Sequence, residues 1–253
     1  MEAGLSIAYY GGYGFGGYGL YFDPTMILVL IGLLLTMAAS AYVNSTFRKY
    51  SNVRGRSGIT GAQAAEKILR RAGITDVTIE HVSGELTDHY DPRTKTVKLS
   101  DRVYSSTSVA AISVAAHECG HVIQHHTQYV PLQIRTLLVP AANIGTSLAW
   151  PILILGILLG SVISAGAAGF LVNLGVLLFS LGVLFQIVTL PVELNASSRA
   201  LGVLSESGML VSEEVQDARK VLRAATLTYV AGAAASILQL ARIIILFGGR
   251  NRD

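Results

Sequence analysis

The chain has 253 residues, of which 51% are hydrophobic and only 14% are charged, and its formal net charge is +3. A mean hydropathy of +0.52 is typical of an integral membrane protein and argues against a soluble globular domain. The weak positive charge suits a lipid bilayer with anionic headgroups. Because no basic stripe alternates with aromatic residues, we expect no nucleic-acid partner.

The N-terminal 25 residues form a predicted tail, and the tyrosine- and glycine-rich residues within it receive no chemical role. Residues 26–43 are predicted to form transmembrane helix 1, since Asp23 can cap it and Pro24 suits its first position. No lysine or arginine precedes Arg48, so the basic region of a cleaved signal peptide is missing. We therefore interpret this segment as a membrane anchor.

The central part of the chain carries no charged residue from Thr136 to Val192. This run is too long for one crossing and predicts transmembrane helices 2 and 3 within residues 148–190, the second ending at Pro191. Residues 227–247 are a further apolar segment, but Gln239 and Arg242 make this fourth crossing less certain. The predicted fold class is a mainly α membrane protein with about four transmembrane helices.

The basic residues predict how the chain is oriented. Twelve lysines and arginines lie between Arg48 and Arg135. The positive-inside rule therefore places residues 45–135 in the cytoplasm, as an insert of a multi-pass protein in a bacterial-type cell membrane. Arg250 and Arg252 would lie outside if residues 227–247 fully span the bilayer, and this conflict stays open.

The insert, residues 45–135, is predicted to be a small α+β domain. Thr60 and Gln63 have the spacing of a capping box at the start of a helix. Two strand-like runs follow, at about residues 77–82 and 94–99, and the turn between them predicts an antiparallel hairpin. Its edge strand could hold an extended peptide through backbone hydrogen bonds, or the hairpin could be purely structural.

Residues 117–121 read His-Glu-Cys-Gly-His, the H-E-x-x-H pattern, within a helix predicted to begin near residues 106–108. Residues four apart share one helical face, so His117 and His121 can bind one Zn²⁺. Glu118 then lies where it can take a proton from a zinc-activated water. A buried polar pair is the alternative. Cys119, the only cysteine, is interpreted as a small packed residue.

A catalytic zinc ion needs a third protein ligand, and Glu193 is the strongest candidate. It follows the two predicted crossings, and an even number of crossings returns it to the membrane face of the H-E-x-x-H helix. Residues 191–226 are thus predicted to contain the third-ligand helix and a following helix. Glu193 could instead be an ordinary first-turn acid. The competing carboxylates are Glu206, Glu213 and Glu214.

The order of anchor, basic insert, His-Glu-Cys-Gly-His, two crossings and a Glu-x-x-Ala-Ser segment resembles the YugP-type membrane zinc metallopeptidases over nearly the whole chain. Residues 23–25, 86–93 and 191–193 also match that family. The architecture is similar, more distantly, to the HtpX and CAAX prenyl proteases, which are gluzincins with a zincin-like fold. In those proteins an aspartate follows the third-ligand glutamate four residues on, where this chain has Ser197. Asn195 stands where the YugP pattern often has aspartate.

These features together predict a membrane-embedded zinc endopeptidase that hydrolyses protein or peptide substrates at the cytoplasmic membrane face. One catalytic Zn²⁺ would be held by His117, His121 and Glu193, with Glu118 as general base. Oxyanion donation or support of the ligands is assigned to a set of weaker candidates: His89, Tyr90, Asn195, Ser197 and Arg199.

Two other functions are compatible with the H-E-x-x-H pattern. One is a membrane scaffold or chaperone-like factor with a structural zinc, in which Cys119 or His125 would complete four protein ligands. The other is an intramembrane site-2-type protease, which is disfavoured because the crossings lack an aspartate. The sequence predicts neither the identity of the substrate nor the oligomeric state.

Overall fold

A computed structural model describes residues 23–247, so most of the predicted tail lies outside the described residues. The described part is mainly helical with one three-stranded sheet. In chain order the elements are α1 (Met26–Ser51), α2 (Gly61–Arg71), β1 (Thr78–Val82), β2 (His89–Asp91), β3 (Thr96–Ser100), α3 (Asp101–Tyr104), α4 (Val109–His126), α5 (Val130–Leu158), α6 (Ala165–Glu206) and α7 (Ser212–Phe247).

Four of the described helices are long and apolar enough to cross a membrane. They are α1, α5 with the short 3-10 turn that follows it, α6 and α7. Large apolar side chains such as Leu34, Leu137 and Phe170 are 64%, 79% and 66% exposed on their surfaces. Such surfaces are stable only against lipid or protein. The predicted fold class is therefore confirmed.

The long helices extend beyond the predicted crossings. α5 begins at Val130, and α7 joins the helix predicted after Glu193 to the fourth apolar segment without a break. The helix end predicted at Pro191 is wrong, because α6 continues through it to Glu206. Proline inside a helix removes one backbone donor and crowds the carbonyl four residues earlier, but the burial of Val192 and Glu193 directly after it favours the continued helix. The limits of the domains within these helices stay predictions.

α1 and α7 lie side by side in opposite directions. Gly32 of α1 lies against the backbone of Ala235 in α7. A Cβ atom added at Gly32 would lie only 3.2 Å from the Cα atom of Ala235. Near the start of α1, the Asp23 carboxylate accepts a hydrogen bond of 3.2 Å from Arg242 of α7. The charged residue that made the fourth crossing uncertain thus has a carboxylate partner, as buried charges require.

The sheet has the strand order β1-β3-β2, with β3 in the centre. An antiparallel hairpin is present, but it is formed by β2 and β3, which pair through Tyr90 and Val97. The run predicted as the first strand of the hairpin is β1, and its antiparallel pairing is wrong, because it pairs with β3 in parallel. β2 occupies one edge of β3 directly before the turn, so only the other edge is free for β1.

α4 is the most enclosed helix of the insert and packs on α2, α6 and α7. Ser108 caps it by accepting a hydrogen bond of 3.2 Å from the backbone N–H of Ala111. Gly120 is where α4 meets α6: a Cβ added there would lie 2.5 Å from the carbonyl oxygen of Ala196. Only glycine allows this close approach of the two backbones.

We expect Gly120→Ala to lower the melting temperature of the detergent-purified protein. The added methyl group must push α6 away, and overpacking of this kind costs about 1–3 kcal/mol. Gly202→Ala is the matched control, because a Cβ at this glycine of α6 meets open space. Equal melting temperatures for Gly120→Ala and wild type would contradict the observed contact.

Candidate metal centre

Two helices bring together the three residues of the predicted ligand set. His117 and His121 lie one turn apart on α4, and Glu193 faces them from α6. One carboxylate oxygen of Glu193 lies 3.2 Å from Nε2 of His117 and 3.5 Å from Nε2 of His121. Within residues 23–247 this is the one group of three such side chains whose donor atoms all lie within 4.8 Å.

This cluster fits a zinc ion by its donor chemistry and by its burial. Two imidazole nitrogens and one carboxylate oxygen form a donor set that catalytic zinc sites use. The Glu193 side chain is only 2% exposed, and a buried carboxylate is stable only beside positive charge or hydrogen-bond donors. A divalent cation between the three side chains would supply that charge.

The far nitrogen of each imidazole has its own hydrogen-bond partner. His117 Nδ1 lies 3.1 Å from the Ser197 hydroxyl, and His121 Nδ1 lies 3.0 Å from the side-chain oxygen of Gln124. Partners at Nδ1 orient the rings and leave each Nε2 directed at the cluster. Ser197 was among the predicted supporting residues. Gln124 was not, although its spacing of three from His121 on one helix could have indicated it.

Gln124 also ties α4 to α6 behind the cluster. Its fully buried side-chain amide donates to the Val192 carbonyl over 2.8 Å and to Asn195 over 3.0 Å. Arg199 donates to the same Asn195 oxygen over 2.8 Å. The predicted candidates Asn195 and Arg199 therefore lie in a hydrogen-bond chain that supports His121. The neutral Asn195 accepts both donors without adding a charge to this buried region.

A cleft of about 430 Å³ runs along the exposed side of the cluster. α4 contributes His117, Glu118 and His121 to its wall, and α5 contributes apolar residues and Arg135. A guanidinium nitrogen of Arg135 lies 3.8 Å from the second carboxylate oxygen of Glu193. Arg135 carries no sequence signal for this contact, because it stands near the start of an apolar helix and Glu193 is 58 residues further along the chain.

The segment from Asp88 to Tyr90 also lines the cleft, and it includes the predicted candidates His89 and Tyr90. Asp88 accepts hydrogen bonds of 2.8 and 2.9 Å from the backbone and hydroxyl of Ser100, so it fixes the start of β2 against the end of β3. Burial raises the pKa of the Asp88 carboxyl. The Tyr90 hydroxyl lies 3.3 Å from Nδ1 of His125.

Glu118 and Cys119 have different surroundings although they are neighbours in the chain. Glu118 is 8% exposed and lines the cleft, and burial raises the pKa of its carboxyl, against the lowering effect of His117 and His121. Cys119 is fully buried with Sγ 3.7 Å from the carbonyl oxygen of Ala65 in α2. Burial raises the pKa of this thiol, so it packs as a small apolar residue.

Known proteins resemble this chain along nearly its whole length. The sequence model of a family described as "Putative neutral zinc metallopeptidase" matches residues 25–248. The chain is 44% identical over 230 residues to "Putative membrane protease YugP" of Bacillus subtilis (strain 168), which covers 90% of this chain and 99% of that protein. No solved structure is significantly similar to the present chain. The resemblance noted in the sequence is confirmed, and the chain belongs to this zinc metallopeptidase family.

Proposed function

We propose that the protein is a zinc-dependent endopeptidase of the gluzincin type, in which His117, His121 and Glu193 bind the metal ion and Glu118 is the general base. One observation carries the proposal: two imidazole nitrogens and a buried carboxylate converge on the wall of a cleft that Glu118 also lines. Protein or peptide segments are the expected substrates, and the cleft lies between the insert and the membrane helices.

The proposed chemistry divides between the metal ion and the side chains. A bound Zn²⁺ supplies Lewis acidity that polarises the scissile carbonyl and makes water acidic. Glu118 accepts the proton of the attacking water as its oxygen bonds to the carbonyl carbon. It then delivers that proton to the amine nitrogen as the C–N bond breaks.

Residues of the cleft are candidates for binding the substrate and its developing negative charge. His89 and Tyr90 of β2 line the same cleft as the metal ligands, and Arg135 adds a positive charge from α5. Oxyanion donors must lie where charge develops on the substrate, which makes these three better placed than Asn195 and Arg199 behind the cluster. A site at the cytoplasmic membrane face is supported by the basic residues of the insert.

Two observations count against the alternative functions. A structural zinc needs a fourth protein ligand, but Cys119 faces α2 and His125 faces Tyr90, so neither joins the cluster. A site-2-type protease needs its H-E-x-x-H helix within the membrane. α4 is not among the four described helices that are long and apolar enough to span one.

Glu118→Gln tests the proposed base. We expect zinc content to stay at the wild-type level and turnover of an unfolded protein substrate to fall by about 10²–10⁴-fold. The amide keeps the size of the side chain but cannot accept the proton. Glu80→Gln, an exposed change in β1, is the control that should retain full activity. Wild-type turnover in Glu118→Gln would mean that another group is the base.

Glu193→Ala tests the third ligand. Since loss of groups that merely support ligands weakens metal binding by about 10–100-fold, loss of a direct ligand should weaken zinc affinity by more. The affinity is measured by competition with a chromophoric chelator. Glu206→Ala removes the carboxylate at the end of the same helix and should bind zinc as wild type does. If Glu206→Ala weakened zinc affinity more than Glu193→Ala did, Glu206 would be the third ligand.

Ser197→Ala tests the support of His117. Removing the hydroxyl frees Nδ1 of the imidazole, so we expect zinc affinity to fall about 10–100-fold. Ser198→Ala is the control, since Ser198 is an exposed serine next to Ser197 on the same helix. Both affinities are measured by the same chelator competition. Equal zinc affinity in the two variants would show that the hydrogen bond to His117 contributes nothing.

A further inference from the structure

A second groove lies between α6 and α7, separate from the proposed peptidase site. It encloses about 710 Å³ and is lined by residues of these two helices alone. Within its lining, the hydroxyls of Ser197 and Thr226 lie 3.5 Å apart. Ser197 is also the partner of His117, so the groove borders the proposed metal site at this residue.

The chemistry of the groove changes along its length. α6 and α7 run in opposite directions here, so residues near 194 on α6 lie level with residues near 230 on α7. At this end the lining is formed by Leu194, Leu227 and Val230, which are 54%, 46% and 43% exposed. At the other end it is formed by Arg219, Arg223 and Ser205. One end is therefore apolar and the other is cationic.

The two arginines are free to bind an anion. Their spacing of four places both on one face of α7. Within residues 23–247, neither guanidinium lies within 4.0 Å of a carboxylate. The neighbouring Lys220 differs, because it pairs with Asp217 over 2.8 Å and lies over the ring of Tyr50. Paired guanidinium groups are well suited to phosphate.

We propose that this groove binds one anionic phospholipid of the surrounding bilayer. The phosphate lies between Arg219 and Arg223, and an acyl chain covers Leu194, Leu227 and Val230. The apolar end belongs to two helices that are both apolar enough to span a membrane, so it opens where acyl chains are available. A soluble phosphate ester would use the arginines alone and leave that apolar surface uncovered. This site is additional to the proposed peptidase activity and does not depend on it.

The first test measures lipid retention by native mass spectrometry of the full-length protein in detergent, titrated with phosphatidylglycerol. Wild type is expected to retain one lipid. The double variant Arg219→Gln/Arg223→Gln should bind at least about tenfold more weakly, since two basic contacts are lost. Lys220→Gln, which removes the same charge from the other side of α7, should bind as wild type does. Equal binding by the double variant would overturn the proposal.

The second test fills the groove without touching the arginines. Gly202 lines the groove, and a Cβ there meets open space. Gly202→Phe should therefore fold, with unchanged zinc content. It should bind phosphatidylglycerol at least about tenfold more weakly than wild type. Gly166→Phe makes the same change at another glycine of α6 that faces open space, outside the groove. Equal lipid binding by both variants would overturn the proposal that the lipid occupies this groove.

Two further titrations identify the source of the phosphate. Phosphatidylcholine with the same acyl chains should bind more weakly than phosphatidylglycerol, because its headgroup carries no net charge. Glycerol phosphate should compete only at concentrations far above those of the lipid, since it cannot cover the apolar end. If phosphatidylcholine binds equally, the requirement for negative charge is wrong. If glycerol phosphate binds as tightly as phosphatidylglycerol, the groove is a soluble anion site and the lipid proposal is wrong.

Discussion

The buried carboxylate of Glu193 is the constraint on which the rest of the structure depends. A charge that is only 2% exposed is unstable in a protein interior unless cationic or donor groups surround it. α4 supplies two imidazoles and α5 supplies the Arg135 guanidinium. Three helices from different parts of the chain must therefore meet at one point, and the insert is folded against the membrane helices to achieve this.

The close contact between α4 and α6 makes that meeting possible. Gly120 lets the two backbones touch one residue before His121. The amide of Gln124 then bridges to Val192 and Asn195. Both features lie within the same two turns of α4 as the metal-binding candidates. The motif helix is thus fixed by packing and by hydrogen bonds independently of a metal ion, which favours a preorganised site.

The sequence predicted those parts of the molecule that depend on local periodicity. The spacing of His117, Glu118 and His121 needs only one helix, and the apolar runs need only their length. The position of Glu193 followed from counting crossings, a topological argument that needs no side-chain packing. The ends of helices were less predictable. Proline disfavours the interior of a helix, but at Pro191 the burial of the following residues outweighs this effect.

The features that were missed depend on contacts between distant parts of the chain. β1 is a neighbour of β3 because β2 leaves that edge free, and the two run in parallel because the chain reverses its direction both before and after β2. Arg135 gains its place only when α5 is docked beside α6. Gln124 is the partial exception, since its contact with His121 is local. Its bridge to Asn195 joins residues with a sequence separation of 71, and no local pattern predicts such a contact.

The unbroken course of α6 has a consequence for which bonds the protein can reach. The helix has 42 residues and carries both a predicted membrane crossing and Glu193. If that crossing ends at residue 190, the rise of a helix places Glu193 about 5 Å beyond the hydrocarbon. α6 continues from the crossing to Glu193 without a break in the helix, so on that count α6 sets the height of the candidate site above the bilayer. In the proposed peptidase, this height would decide which bond of a membrane-anchored substrate lies nearest to the metal ligands.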